Sequence, residues 1–201
     1  MEEFMKNVIF DFGQVLVRFD PIYMTSRYVS DEDDVRDVAN VLFDRLYWDR
    51  LDAGTIDDEE VVRLASQRVP QRLRNAIADV YYNWIYNIPE IDGMREAIAI
   101  CREKGFGIYL LSNISHYFAD RKEEIPILSL LDGYVFSAEC GSVKPSKDIF
   151  AHTCGKFGLD PSQTLFVDDS EKNIKGAIDF GLNGYLFDGD SEKLCAYLKA
   201  L

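Results

Sequence analysis

Five short, nearly continuous apolar runs punctuate the chain: Val8-Ile9-Phe10, Ile108-Tyr109-Leu110-Leu111, Tyr134-Val135-Phe136, Leu165-Phe166-Val167 and Tyr185-Leu186-Phe187. Polar or turn residues bound each of them, the pattern of parallel strands buried on both faces. Helical spacing occupies the chain between and after the later runs. Met94, Ala97, Ile98 and Cys101 fall at i, i+3, i+4 and i+7, and Lys104-Gly105 closes that helix. Leu194, Tyr197, Leu198 and Leu201 repeat the spacing at the C-terminal end, with Ser191 as the expected N-cap. Strands alternating with helices predict an α/β fold: a doubly wound, parallel, five-stranded Rossmann-like sheet whose ligands bind beyond the carboxyl ends of the strands.

The stretch from Arg18 to Pro89 departs from this pattern, with helical faces and no strand-like run. Val35, Val38, Ala39 and Leu42 form one face, and Leu73, Ile77, Val80 and Trp84 another. Between them, Thr55-Ile56-Asp57-Asp58-Glu59 reads as an N-cap with acids in the first helical turn, and Pro70 ends that helix. Asp20-Pro21 reads as the N-cap and N1 pair of a fourth, short helix. The expected organisation is an α/β core of residues 1–17 and 90–201, with residues 18–89 inserted as a helical-bundle cap. A length of 201 residues suits one core domain with one small insertion.

Charge narrows the possible partners. Lys and Arg number 22 against 35 Asp and Glu, a net charge of -13, which argues against nucleic acid as a ligand. An anionic substrate approaching so acidic a surface needs a metal ion and a well-placed Lys. Cys101, Cys140, Cys154 and Cys195 show neither C-x-x-C spacing nor the density of a disulfide scaffold, and they read as core residues. No apolar stretch approaches the ~20 residues of a membrane helix. Met1 to Asn7 lacks the profile of a signal peptide, so the expected location is cytoplasmic, with no membrane partner.

Candidate chemistry sits where the strands end. Asp11-Phe12-Gly13 follows the first run, Ser112-Asn113 the second and Asp168-Asp169 the fourth, while Lys144-Pro145 lies between the third and fourth. In a parallel sheet these positions converge on one crevice. Carboxylates from the first and fourth strands could share Mg²⁺, which prefers oxygen ligands. Ser112 and Lys144 could hold phosphate oxygens.

Four segments in this order, VIFDFGQVLV, LLSN, VKPS and FVDDSEKN, resemble the motifs of the haloacid dehalogenase superfamily of phosphohydrolases. The insertion looks like that family's helical cap. The resemblance implies that Asp11 is the nucleophile that forms an aspartyl phosphate, with Ser112 and Lys144 as the phosphate clamp. Asn113 and His116 join them as substrate-binding candidates. It further implies Mg²⁺ as cofactor, held by Asp11, the backbone carbonyl of Gly13 and Asp169. Asp168 binds metal-coordinated water or positions the Lys, and Asn173 ties its loop in place. The implied activity is hydrolysis of a small phosphorylated metabolite, and members with Asp-x-Gly at the first motif include sugar-phosphate phosphatases.

Gly13 is the departure from the pattern. Most such phosphatases carry there a second Asp that protonates the leaving group and later activates water. General acid–base catalysis is worth ~10²- to 10⁴-fold, which leaves three readings: a good leaving group, a substitute acid, or a protein that binds without turnover. A haloacid dehalogenase also uses an Asp nucleophile, but it has no use for the pair Asp168-Asp169. His116 follows Ser112-Asn113 on a loop expected to face the crevice, although a surface histidine is the plainer reading. Asp20 reads as an N-cap in preference to a substitute acid, and Tyr47, Trp48 and Arg50 in the cap could contact substrate, although aromatic residues at helical spacing are more often core. Asp31 to Asp34 and Asp57 to Glu60 read as first helical turns. Glycine at position 13 also raises the prospect of a left-handed backbone that Asp would tolerate poorly.

Overall fold

The computed structural model describes residues 5–201. Positions 1–4, where the segment read as lacking a signal peptide begins, lie outside the described residues. Five parallel strands form one sheet: β1 (Asn7–Phe10), β2 (Gly107–Ser112), β3 (Gly133–Phe136), β4 (Thr164–Asp168) and β5 (Asn183–Leu186), in the order β3-β2-β1-β4-β5. The chain winds outward from β1 to β3 and then crosses back to place β4 on the other side of β1. A topological switch point therefore falls between β1 and β4, where doubly wound sheets open a crevice.

Alternation along the strands explains why the sheet is covered on both sides. Val8, Phe10, Ile108, Leu110, Leu165 and Val167 enter one core, where α6 (Met94–Glu103) and the C-terminal helix Ser191–Ala200 pack. Ile9, Leu111, Val135 and Phe166 enter the other, against the helices Lys147–Phe157 and Glu171–Phe180. The insertion between β1 and α6 contains α1 (Pro21–Ser26), α2 (Glu32–Leu42), α3 (Arg45–Asp52), α4 (Asp58–Gln67) and α5 (Arg74–Tyr81). After β2 come α7 (His116–Ala119), α8 (Ser137–Cys140), α9 (Lys147–Phe157), α10 (Glu171–Phe180) and α11 (Ser191–Ala200).

The insertion leaves and re-enters the sheet at one place. Val17 and Glu90 form an antiparallel bridge, the Arg18 N–H donates to the Pro89 carbonyl at 2.8 Å, and the Ile91 N–H donates to Leu16 at 3.0 Å. Its apolar faces do not make a separate core. Val35, Val38, Leu42, Ile77 and Val80 belong to the same cluster as the β1 residues Val8 and Phe10. Stacked and edge-on aromatic rings connect them, with Phe12–Phe118 centroids 4.7 Å apart, Phe118–Trp84 5.8 Å and Trp84–Phe19 5.6 Å.

Several local expectations need correction. The fifth strand begins two residues earlier than its apolar run, and it is not buried on both faces. It pairs with β4 alone, so Asn183 and Leu186 are exposed at the sheet edge. Asp190, not Ser191, caps α11, accepting from the Lys193 N–H at 3.0 Å. Thr55 does not open α4, because its N–H and hydroxyl both donate to the Arg50 carbonyl and so close the preceding helix. That preceding helix, α3, has no counterpart in the apolar periodicity. Asp44 caps it, accepting from the Leu46 N–H at 2.9 Å.

Candidate active site

Register places the chemistry at one level. Phe10 aligns with Leu110 on one side and Val167 on the other, so Asp11, the end of β2 and Asp168 emerge side by side. The Asp11 N–H is fixed to the Val167 carbonyl at 2.9 Å. One oxygen each from Asp11, Asp168 and Asp169 can be chosen so that all lie within 4.8 Å of one another. Asp11 and Asp169 open into a cleft of 540 Å³, whose wall also includes Gly13, Ser112, Asn113 and Lys144, while Asp168 is fully buried behind it.

Lys144 is the fixed point of this arrangement. Its ammonium, nearly inaccessible to solvent, lies 2.6 Å from Asp11 Oδ1 and 2.7 Å from Asp168 Oδ2. Burial alone would lower the Lys144 pKa, but the two carboxylates outweigh it and raise the value, which keeps the ammonium charged. Asn113 holds the Lys144 backbone from both sides, its Oδ1 accepting the Lys144 N–H at 2.8 Å and its Nδ2 donating to the carbonyl at 3.1 Å. The carboxylate of Asp168 is held as firmly: Oδ1 accepts from the Ser170 N–H at 2.8 Å, and Asn173 Nδ2 donates at 3.1 Å to both oxygens. A glycine completes the support. A Cβ on Gly176, in the middle of α10, would come within 2.6 Å of Pro145 Cβ, so its absence lets the helix press on the loop that carries Lys144.

The facing wall comes from the insertion. Arg45, Trp48, Asp49 and Asp52 occupy i, i+3, i+4 and i+7 of α3 and all line the cleft, together with Phe19 and Trp84. Trp48, Phe19 and Trp84 pack edge-on to one another, with centroids 5.3 to 5.6 Å apart. Trp48 Nε1 donates to the Leu42 carbonyl at 2.8 Å, which fixes the indole.

Most of the residues read from sequence therefore meet in one cleft, with three qualifications, the first being Asp168, which is buried behind the wall and reaches it only through Lys144. Asn113 lines the cleft, yet its side-chain amide is spent on the Lys144 backbone, so it positions the lysine. His116 does not face the crevice. It is the exposed first residue of α7 and lies outside the cleft lining, where a Cβ on Gly54 would come within 3.2 Å of its Nε2. Asp20 is an N-cap, accepting from the Tyr23 N–H at 3.0 Å. Tyr47 is buried and accepts a hydrogen bond from Arg68, Arg50 is exposed, and Trp48 alone of that trio reaches the cleft. Glu32 to Asp34 and Asp58 to Glu60 fill first helical turns, as the acidic runs suggested, and Asp31 and Asp57 stand one position earlier, at the N-caps. Gly13 does not need to be glycine for its backbone: its φ is not left-handed, and a Cβ there would meet only Phe19 Cβ, at 3.8 Å.

The donor set fits a hard divalent cation. Burial, partly offset by Lys144, pushes the Asp11 carboxyl up to about 7, and Asp169 is also raised, by desolvation and by Asp168. Such shifts mark crowded negative charge. When ionised, three carboxylates against one ammonium leave two negative charges uncompensated, the charge of one Mg²⁺. With Asp168 committed to Lys144, Asn173 and Ser170, the oxygens free to ligate belong to Asp11, Asp169 and the backbone.

A parallel sheet with an Asp at its switch point, a clamped Lys and an acidic pair is an arrangement suited to hydrolysis. The sequence profile of the haloacid dehalogenase-like hydrolases matches residues 5–181, and the chain belongs to that family. It is 24% identical over 181 residues to a D-ribitol-5-phosphate phosphatase of Bacteroides thetaiotaomicron, covering 85% of each. It is 24% identical to a sesquiterpene phosphatase of Aspergillus oryzae, covering 98% of this chain and 96% of that one. A flavin mononucleotide hydrolase of Arabidopsis thaliana is 22% identical over 151 residues, 71% of this chain, which spans 57% of that protein's length. Among solved structures, the magnesium complex of a family enzyme from Bacteroides thetaiotaomicron superposes with a TM-score of 0.69 at 21% identity, covering 91% of this chain and 93% of that one. No helix among the described residues is long and apolar enough to cross a membrane.

Proposed function

We propose that this protein is a Mg²⁺-dependent phosphatase of small phosphorylated metabolites that works through an aspartyl phosphate on Asp11. The observation that carries the reading is the convergence of Asp11, Asp168 and Asp169 around a Lys144 held by two of them. Asp11 Oδ attacks phosphorus, the bond to the leaving oxygen breaks, and water then attacks the phosphorus of the acyl phosphate to return the Asp11 carboxylate and inorganic phosphate. Ser112 and Lys144 bind the transferring oxygens, and Asp168, Asn113 and Asn173 hold Lys144 in place so that little reorganisation is needed. Asp11, Asp169 and the Gly13 carbonyl hold the metal, whose contribution is to offset charge on the phosphoryl group.

Residues 18–89 act as a cap that covers the cleft and excludes water and large substrates. Relatives named as phosphatases of a pentitol phosphate and a terpenoid phosphate support the small-molecule reading. The aromatic wall of Phe19, Trp48 and Trp84 suits a leaving group with an apolar face, such as the C–H face of a sugar. Phosphate release from sugar and aryl phosphates is to be measured with and without Mg²⁺, using Asp11→Asn as the blank. Release is expected only with the metal and only with Asp11. Full rates in excess chelator would overturn the metal-dependent reading, and binding without release would reassign the protein as a phospho-ligand binder.

A further inference from the structure

Gly13 leaves a phosphatase without its usual proton donor, and the geometry points to Asp52 as the residue that takes over. Resting on the reading above, we propose that Asp52 protonates the leaving oxygen and then takes a proton from the attacking water. When Asp11 attacks, the phosphorus–oxygen bond breaks and its electron pair stays on the leaving oxygen, which takes the Asp52 proton. Asp52, now a carboxylate, receives a proton from water as the water oxygen bonds to phosphorus and the Asp11–phosphorus bond breaks. Asp11 and Asp52 both end as they began.

Three observations carry this. Asp52 stands on the wall of the same cleft as Asp11, Ser112 and Lys144, on the face of α3 turned toward them. Its backbone is tied to the catalytic loops: the carbonyl accepts from the hydroxyl of buried Ser137 at 2.6 Å, and that hydroxyl accepts the Ile114 N–H at 2.9 Å. Gly54 has a left-handed φ of +66°, and a Cβ there would meet the Ala138 carbonyl at 2.8 Å, so the turn after Asp52 seats directly on α8. Finally, Asp52 Oδ1 is shut off from solvent with no hydrogen-bond partner, an arrangement far more costly for a carboxylate than for a carboxylic acid. No cap, ion pair or core role accounts for it.

Its charged surroundings agree. Burial, the dominant influence, raises the Asp52 pKa to about 7. Arg45 and Lys144 pull it down, while Asp49 and Asp11 push it up. Asp169 and Lys172 complete the charged groups on the cleft wall. A carboxylic acid still protonated near neutrality is the state a general acid needs.

The test is a plot of log kcat/KM against leaving-group pKa, with Mg²⁺ present. The natural protein should give a shallow slope, and a steep one would overturn the proposal without touching the phosphatase reading. Asp52→Asn should steepen the slope, losing ~10²-fold on alkyl phosphates and under ~5-fold on p-nitrophenyl phosphate. Gly13→Asp, for which the backbone has room, should restore alkyl turnover in the Asp52→Asn protein, and His116→Asn should leave the slope unchanged. Equal losses on both esters, or no loss, would overturn Asp52 as the acid. A natural protein that hydrolyses neither ester would overturn the phosphatase reading itself, and Asp52 with it.

Discussion

The two walls of the cleft are built on different physical terms. On the sheet side each of the strongly held charges has a partner: Lys144 lies between Asp11 and Asp168, and Asp168 is held by Ser170 and Asn173. On the insertion side the surface is aromatic, its one ion pair, Arg45–Asp49, is exposed at 3.2 Å, and Asp52 keeps a buried oxygen unpartnered. Full pairing gives rigidity and a fixed protonation state, which suits groups that recognise the same phosphate in each turnover. An unpaired group keeps a titration near neutrality, which suits a proton that must come and go. On the function proposed above, strand ends supply the constant part of the chemistry, and the helical insertion supplies what depends on the leaving group.

Removing the centre of the paired wall should have the largest effect. Lys144→Met leaves Asp11 and Asp168 buried and facing each other, so thermal unfolding should show a loss of about 3–5 kcal/mol, with phosphate release falling ~10³-fold or more. A stability loss below 1 kcal/mol would mean that the two carboxylates do not depend on that ammonium. Next in size is Gly176→Ala. Its methyl group must displace Pro145, and a cost of about 1–3 kcal/mol should come with a reduced kcat, because the loop carrying Lys144 shifts. Unchanged kcat would show that Lys144 tolerates the displacement.

The smallest effect probes the unpaired wall. The folded pKa of Asp52, about 7, lies above the 3.8 of an unperturbed carboxyl. Folding therefore favours the protonated form: this cost is absent below about pH 4, grows as pH rises, and is complete above about pH 7. Asp52→Asn cannot ionise, so it should match the natural protein at pH 4 and exceed it at pH 8 by about 1–2 kcal/mol, less than a fully buried carboxyl would give. Paired melts at the two pH values decide it, and equal stability at pH 8 would show that Asp52 is well solvated.

The sheet and the convergence of polar residues at its strand ends were legible because both obey short-range rules. Apolar runs of a few residues mark buried strands, and the residue following each run is placed by register, so Asp11, Ser112 and Asp168 fall together without any knowledge of loops. The fifth strand was displaced because Phe187, buried but beyond the ladder, carries the same apolar signal as a strand residue. The insertion resisted reading for a different reason. A search for apolar stripes finds α2 and α5, whose faces enter the core. The face of α3 turned to the cleft is Arg45, Trp48, Asp49 and Asp52, three of them charged. Asp44 followed by this i, i+3, i+4, i+7 set was the available signal, a capped helix with its polar face inward. His116 was misplaced because proximity in sequence to Ser112 says nothing of direction, and four residues later the chain has already turned into α7.

The crossing at Val17 and Glu90 bears on how such a molecule could change over generations. Because the insertion begins and ends on paired backbone, the sheet experiences it as a closed loop whose ends already touch. Lengthening such a loop is cheap, since loop-closure entropy grows only logarithmically with its length. A lineage could therefore exchange helices at this junction, and with them the wall presented to the cleft, while the strand register and Asp11 stay where they are.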